Sequence, residues 1–206
     1  MLIHIHPDNP QARNIRTVVD CLKNGGIIIY PTDTIYGIGC DITNYEAITK
    51  IARIKNIDPK KAQFSFICSD LSHLSDYTKS VDTPLYRLLK SLLPGPYTFI
   101  LPASKMVPKM LKTKKDTVGI RVPDNKICQD IIRELGNPLI SASLPMGDEV
   151  EYYTDPELMH DIFEKQVDIV INGGIGGVIA STIVDCTDGD PHVTRAGLGT
   201  WHEDNS

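Results

Sequence analysis

The sequence predicts one α/β domain of the α+β type, a twisted mixed β-sheet flanked by helices, and three observations predict it. Short apolar runs rich in isoleucine and valine alternate with segments whose apolar residues recur every three to four positions, so strands and helices are interleaved. The last three strand-like segments, near 168–171, 182–186 and 192–195, follow one another with no helical segment between them, which favours a mixed sheet over a strictly parallel one. At 206 residues, 41% of them hydrophobic, the chain fills one buried core and is too short for two. Residues 1–206 therefore read as a single domain with its core over 10–199.

A strand at 2–5 opens the chain, and a helix follows from Pro10, with Asn9 as its cap and Ile15, Val18, Val19 and Leu22 at helical spacing. Gly25 and Gly26 end it. Ile27, Ile28, Ile29 and Tyr30 read as a buried strand; Pro31 stops its ladder, and Thr32, Asp33, Thr34 and Tyr36 crowd polar side chains into one turn. Gly37 and Gly39 then admit backbone angles or close approaches that a Cβ forbids. Thr43 and Glu46 form a capping box for a helix that turns Ala47, Ile48, Ile51 and Ala52 inward and ends before Pro59, with Lys55 near its C-terminus. Next come a strand at 64–68, a helix at 83–93, strands at 97–101 and 117–122, a helix from near Asp124 to Leu135 and a strand at 139–142. Thr154, Pro156 and Glu157 mark one more helix start. The glycines at 173–177 lack the spacing of a nucleotide fingerprint and run into a strand, so they read as a flexible loop.

Composition narrows the possibilities. No basic region followed by an apolar run opens the chain, and no apolar stretch approaches the ~20 residues that span a bilayer, so a soluble, cytoplasmic protein with no membrane partner is expected. Five cysteines without a CxxC spacing predict free thiols, and His4 and His6 without a third ligand lead to no metal assignment. The net charge of −5 is unevenly spread: residues 46–133 hold 16 Lys and Arg against 8 Asp and Glu, a balance of +8, and the remainder stands at −13. Lys60, Lys61, Lys109, Lys112, Lys114 and Lys115 form either a phosphate-attracting surface or ordinary solvated faces.

Further motifs accompany the turn at Thr32. They are the segment from Lys55 to Lys61, PGPYT at 94–98, GIRVPD at 119–124, and STIVDCT at 181–187 with RAG at 195–197. Together with YPTDTIYGIG at 30–39, in this order and spacing, they resemble the YrdC/YciO family over roughly residues 25–199. The resemblance implies a twisted mixed sheet with a concave, positively charged surface. It also implies the chemistry of the threonylcarbamoyl-AMP synthases, which join L-threonine, bicarbonate and ATP into threonylcarbamoyl-adenylate and pyrophosphate for the t6A modification of tRNA. ATP as substrate, and Mg2+ carried with the nucleotide, are implied with it.

That reaction requires a triphosphate, a carbamate and a cation to be held while charge moves between them, so cations and hydroxyls should dominate the site. By resemblance, the catalytic residues are Lys55, the signature lysine and a phosphate contact, and Arg121, a carboxylate clamp whose guanidinium fork suits an amino acid. Thr32, Thr34 and Ser181 join Arg121 in the substrate pocket, while Ser141, Ser143 and Arg195 join Lys55 in contacting ATP. Taken singly, Arg121 also fits a surface ion pair, Ser141 a strand-end hydroxyl, and Ser181 a helper for backbone groups in a turn. The synthase signature has an arginine two residues after the lysine and an asparagine two residues after the serine; here Ile57 and Ser143 stand there, and Ala62 replaces a common proline. A lost guanidinium removes charge-assisted hydrogen bonds of about 1.5–3 kcal/mol each, enough to slow a reaction roughly a hundredfold. These departures resemble the YciO branch. They leave open a double-stranded RNA- or tRNA-binding protein without synthase activity, and a protein that binds or hydrolyses another nucleotide or acyl-adenylate.

Overall fold

Runs of isoleucine and valine too apolar to face water become the inner strands of one sheet. The computed structural model describes residues 1–58, 64–108, 111, 116–144 and 153–201; Lys60, Lys61, Ala62, Lys109, Lys112, Lys114 and Lys115 lie outside them. The described strands are β1 (Leu2–His4), β2 (Ile28–Tyr30), β3 (Gly37–Asp41), β4 (Ser65–Ile67), β5 (Tyr97–Pro102), β6 (Thr117–Arg121), β7 (Leu139–Ser143), β8 (Ile169–Asn172), β9 (Thr182–Asp185) and β10 (His192–Arg195). They pair in the order β1-β8-β2-β3-β7-β4-β6-β5-β9-β10. The sheet is mixed, as expected: β8 runs parallel to β1 and β2, β4 to β6 and β5 to β9, and the other pairs are antiparallel.

Helices α1 (Ala12–Lys23), α2 (Tyr45–Ile54), α3 (Leu74–Tyr77), α4 (Thr83–Leu92), α5 (Lys126–Leu135) and α6 (Pro156–Phe163) divide between two apolar clusters. Val18 and Leu22 of α1 and Ile127 and Ile131 of α5 pack with Ile28, Leu139 and Ile169 on one side of the sheet. Ile48 and Ile51 of α2, Leu89 of α4 and Met159 of α6 pack with Ile29, Ile38, Phe66 and Phe99 on the other. Helix starts differ from expectation by a residue or two. Gln11 rather than Asn9 precedes α1, and no side chain caps it. Asn44 rather than Thr43 caps α2 by accepting from the Ala47 amide, because Thr43 gives its hydroxyl to Asp41 instead. Asp155 rather than Thr154 caps α6.

The largest difference is β3. Gly37 and Gly39 lie inside a strand, paired with Tyr30 and Ile28 of β2, and neither has a positive φ. Their purpose is close approach: a Cβ on Gly39 would stand 2.8 Å from the Ile140 carbonyl oxygen and 3.0 Å from the Tyr30 ring. Backbone on one side and a wholly buried ring on the other cannot yield, so Gly39→Ala should cost about 1–3 kcal/mol, read as a lowered denaturant midpoint in urea at unchanged m-value.

All five cysteines are free thiols, and burial pushes them up, Cys21 to about 11 and Cys40, Cys68, Cys128 and Cys186 to about 12. No helix among the described residues is long and apolar enough to cross a membrane.

Candidate functional site

Successive residues of a strand face opposite sides of its sheet, and this alternation builds the floor of the site. On β6, Val118 and Ile120 enter an apolar cluster, which leaves Gly119 and Arg121 for the other face. Gly39, Ser141, Ser65 and Gly119 stand side by side in register across β3, β7, β4 and β6. A Cβ on Gly119 would meet Ser65 Oγ at 3.2 Å and the Thr98 methyl at 3.3 Å, so Thr98 of β5, diagonal to Gly119 and two residues from its register partner Ile100, borders the row. The result is a band of small and hydroxyl-bearing residues across five strands. Tyr30 borders it, donating from its buried hydroxyl to Ser141 Oγ at 2.6 Å. Burial, the largest influence, raises the Tyr30 pKa far above its ordinary value, so the phenol stays a donor and Ser141 keeps its own proton to give elsewhere.

The polar turn after β2 folds onto the end of β6. Arg121 Nη2 donates to Thr34 Oγ1 at 2.6 Å, Asp33 Oδ1 at 2.6 Å and Thr32 Oγ1 at 3.1 Å. Thr32 in turn donates to the Ile35 carbonyl at 2.7 Å, which fixes the turn. Arg121 is therefore no surface ion pair: its side chain and that of Asp33 are each only 10% exposed. Beside the turn lies a cavity of about 420 Å³, bounded by Thr32, Asp33, Thr34, Asn125 and the loop 173–177. That loop, expected to be flexible, is tied down. The Gly177 amide donates to the Thr34 carbonyl at 2.9 Å, that of Gly176 to the Thr154 carbonyl at 2.8 Å, and the Tyr36 hydroxyl to the Gly174 carbonyl at 2.7 Å. Glycine is required for it, since a Cβ on Gly177 would lie 2.3 Å from the Thr34 carbonyl oxygen.

A second group forms where β9 begins. Ser181 Oγ and Thr98 Oγ1 share a buried hydrogen bond of 2.9 Å, and Arg195 Nη2 donates to the Ser181 carbonyl at 2.7 Å. The Arg195 pKa is lowered, first by burial and then by the positive charge of Arg121.

Lys55 and Ser143 make the third group. Helix α2 ends in a Schellman arrangement: Asn56 adopts φ 53°, its amide donates to the Arg53 carbonyl, and the Ile57 amide reaches back to that of Ala52. Lys55, the residue before this reversal, extends its ammonium to the Ser143 carbonyl at the end of β7. Burial lowers its pKa.

The structure thus joins Thr32, Thr34 and Arg121 directly, Ser181 with Arg195, and Lys55 with Ser143, while the row across the sheet runs from Ser141 to Gly119 and is bordered by Thr98 beside Ser181. Sequence reasoning missed Tyr30, Ser65 and Thr98 as members of the site and gave Asp33 no role. Alternation along β4 and β6 was the signal for Ser65 and Gly119. His6, by contrast, uses Nδ1 to accept the Asp8 and Asn9 amides, each at 3.2 Å. Among the described residues no group of three or more His, Cys, Asp or Glu is placed to hold a metal ion.

A family model named Sua5_yciO_yrdC, described as telomere recombination, matches residues 20–197. The chain belongs to this family. It is similar to YciO of Escherichia coli, whose crystal structure superposes with a TM-score of 0.90 at 43% identity over 97% of each chain. A threonylcarbamoyl-AMP synthase of Coxiella burnetii is 30% identical over 165 residues, 80% of this chain and 88% of that protein. A Sua5 of P. abyssi, solved in complex with L-threonine, shares the fold at a TM-score of 0.86 and 24% identity, and the match covers 96% of this chain and 57% of that one. Identity is higher to YciO than to the synthase, in line with the family branch that Ile57 and Ser143 indicate.

Proposed function

We propose that this site binds ATP, L-threonine and bicarbonate and forms threonylcarbamoyl-adenylate with release of pyrophosphate, more slowly than the synthases that carry the full signature. The observation that carries the reading is the convergence of Arg121, Thr32 and Thr34 beside a cavity, on the sheet face that also holds Ser141, Ser181 and Arg195. In the reaction, the threonine amine combines with bicarbonate to give a carbamate and water, and a carbamate oxygen displaces pyrophosphate from the α-phosphorus of ATP. Arg121 takes the amino-acid carboxylate, and the hydroxyls of Thr32 and Thr34 line its pocket. Lys55 and Arg195 balance the charge of the triphosphate, Ser141 and Ser143 donate hydrogen bonds to the nucleotide, and Ser181 joins the threonine pocket. Mg2+ would arrive with the phosphates and neutralise part of their charge; the described residues offer it no cage of carboxylates. The adenylate would then serve tRNA t6A modification, as the family resemblance implies.

Pyrophosphate release tests the reading. It should require ATP, L-threonine and bicarbonate together; release that persists without threonine or bicarbonate would point to hydrolysis of a nucleotide instead. A pH profile tests the role of Lys55. A contact to phosphate requires the charged form, which persists below the folded-state pKa and is lost as pH rises through it. Because burial lowers that pKa, the alkaline limb of kcat/KM should fall below the ordinary lysine range, and Lys55→Arg should move it upward. The RNA-binding alternative draws on the +8 balance of residues 46–133, of whose cations Lys60, Lys61, Lys109, Lys112, Lys114 and Lys115 lie outside the described residues; binding of that kind should weaken steeply with salt, and a flat salt response in a titration with transfer RNA would remove it.

A further inference from the structure

Two buried side-chain atoms among the described residues have no hydrogen-bond partner, Asp33 Oδ2 and Arg121 Nε, and they belong to one ion pair. A carboxylate and a guanidinium ordinarily meet through two parallel bonds. Here they meet through one, Nη2 to Oδ1 at 2.6 Å, and Nη2 is shared with Thr32 and Thr34. Each partner keeps unused capacity at a depth where an unmade bond is expensive. Asp33 and both threonines line the cavity of about 420 Å³. A pair that is buried and half-bonded, with its carboxylate at a cavity wall and its guanidinium directly behind on the same threonines, is built to be opened by something that satisfies it better.

We propose that a zwitterionic α-amino acid inserts into the Asp33–Arg121 pair, its carboxylate on Arg121 and its ammonium on Asp33, which makes Asp33 a specificity-determining residue. The inference rests on the amino-acid reading above and adds the ammonium acceptor that reading leaves unassigned. Insertion replaces one ion pair by two and gives both orphaned atoms a reason to be unpartnered beforehand. A monocarboxylate that took Arg121 would strand the buried Asp33 charge without a counterion, and an amine lacking a carboxylate would strand Arg121. The site therefore selects the zwitterion over either half of it. The same carboxylate repels phosphate, which keeps the nucleotide toward Lys55 and Arg195.

The test is calorimetric binding to the full chain of L-threonine and of 3-hydroxybutyrate, the same molecule without its ammonium group. The wild type should bind L-threonine at least about tenfold more tightly, the ratio expected from one charge-assisted hydrogen bond. Asp33→Asn should weaken L-threonine about tenfold while 3-hydroxybutyrate binds as well as, or better than, to the wild type. Asp33→Glu, which keeps the charge, should preserve the preference, and it keeps the test valid where the asparagine variant loses its circular-dichroism signature of folding. Equal loss of both ligands in Asp33→Asn, or loss of the preference in a folded Asp33→Glu, means that Asp33 only braces Arg121 and overturns the inference while leaving the amino-acid reading intact. Equal binding of both ligands to the wild type overturns it too. Failure of the wild type to bind L-threonine at all removes the amino-acid reading, and this inference with it.

Discussion

Lys55→Ala is expected to abolish ATP-dependent adenylate formation, with a fall of roughly 100- to 1000-fold in kcat, the scale on which a single preorganised charge-stabilising donor acts. The lysine is placed for this by backbone, since the Schellman ending of α2 leaves it as the last helical-geometry residue before the left-handed Asn56. Its ammonium reaches the Ser143 carbonyl, so it stands at the end of β7, two residues from Ser141. The helix cap is made by main-chain groups, so the alanine variant should fold, with an unfolding midpoint close to that of the wild type. A loss of activity together with a lowered midpoint would assign Lys55 a structural role instead. Steady-state pyrophosphate release and a urea titration on the same preparation separate the two.

Arg121→Ala should be damaging in both respects. Its guanidinium is the common partner of Thr32, Asp33 and Thr34, and removing it leaves a carboxylate nine-tenths buried with no counterion. Breaking one partner out of such a pair costs about 3–5 kcal/mol, a large fraction of what holds a domain of this size together. L-threonine binding should be lost at temperatures where the variant remains folded. A variant with near-wild-type stability would mean that the Asp33–Arg121 pair is far less desolvated than its burial indicates. Urea unfolding gives the first quantity and calorimetry the second.

Much of this arrangement was legible in the sequence because the period of the apolar residues fixes both element type and face. Ile15, Val18, Val19 and Leu22 announce α1, and β10 occurs where His192 to Arg195 predict it. What escaped did so for identifiable reasons. Gly37 and Gly39 look like turn residues, yet they form β3, because the tertiary demand was for room against the Tyr30 ring and the Ile140 carbonyl. Helix caps shifted because Asn44 and Asp155 compete with neighbouring threonines for the same amides, and a sequence does not rank such neighbours. Within the site, Thr32, Thr34 and Arg121 converge as the motifs suggest. The contact between Lys55 and Ser143 spans 88 positions and depends on how α2 lies against β7, which no local pattern encodes. Asp33 was visible as a polar residue in the turn, but its half-made bond to Arg121 exists only in three dimensions.

The most direct measurement is mass-spectrometric detection of threonylcarbamoyl-adenylate formed from ATP, L-threonine and bicarbonate by the wild type and by an Ile57→Arg, Ser143→Asn double variant, with Lys55→Ala as background. The wild type should form the adenylate above that background, and the double variant should form it faster, by up to roughly a hundredfold, as guanidinium and amide contacts are restored. Absence of the adenylate from both, with each folded and binding ATP, would contradict the assignment of this site to adenylate formation.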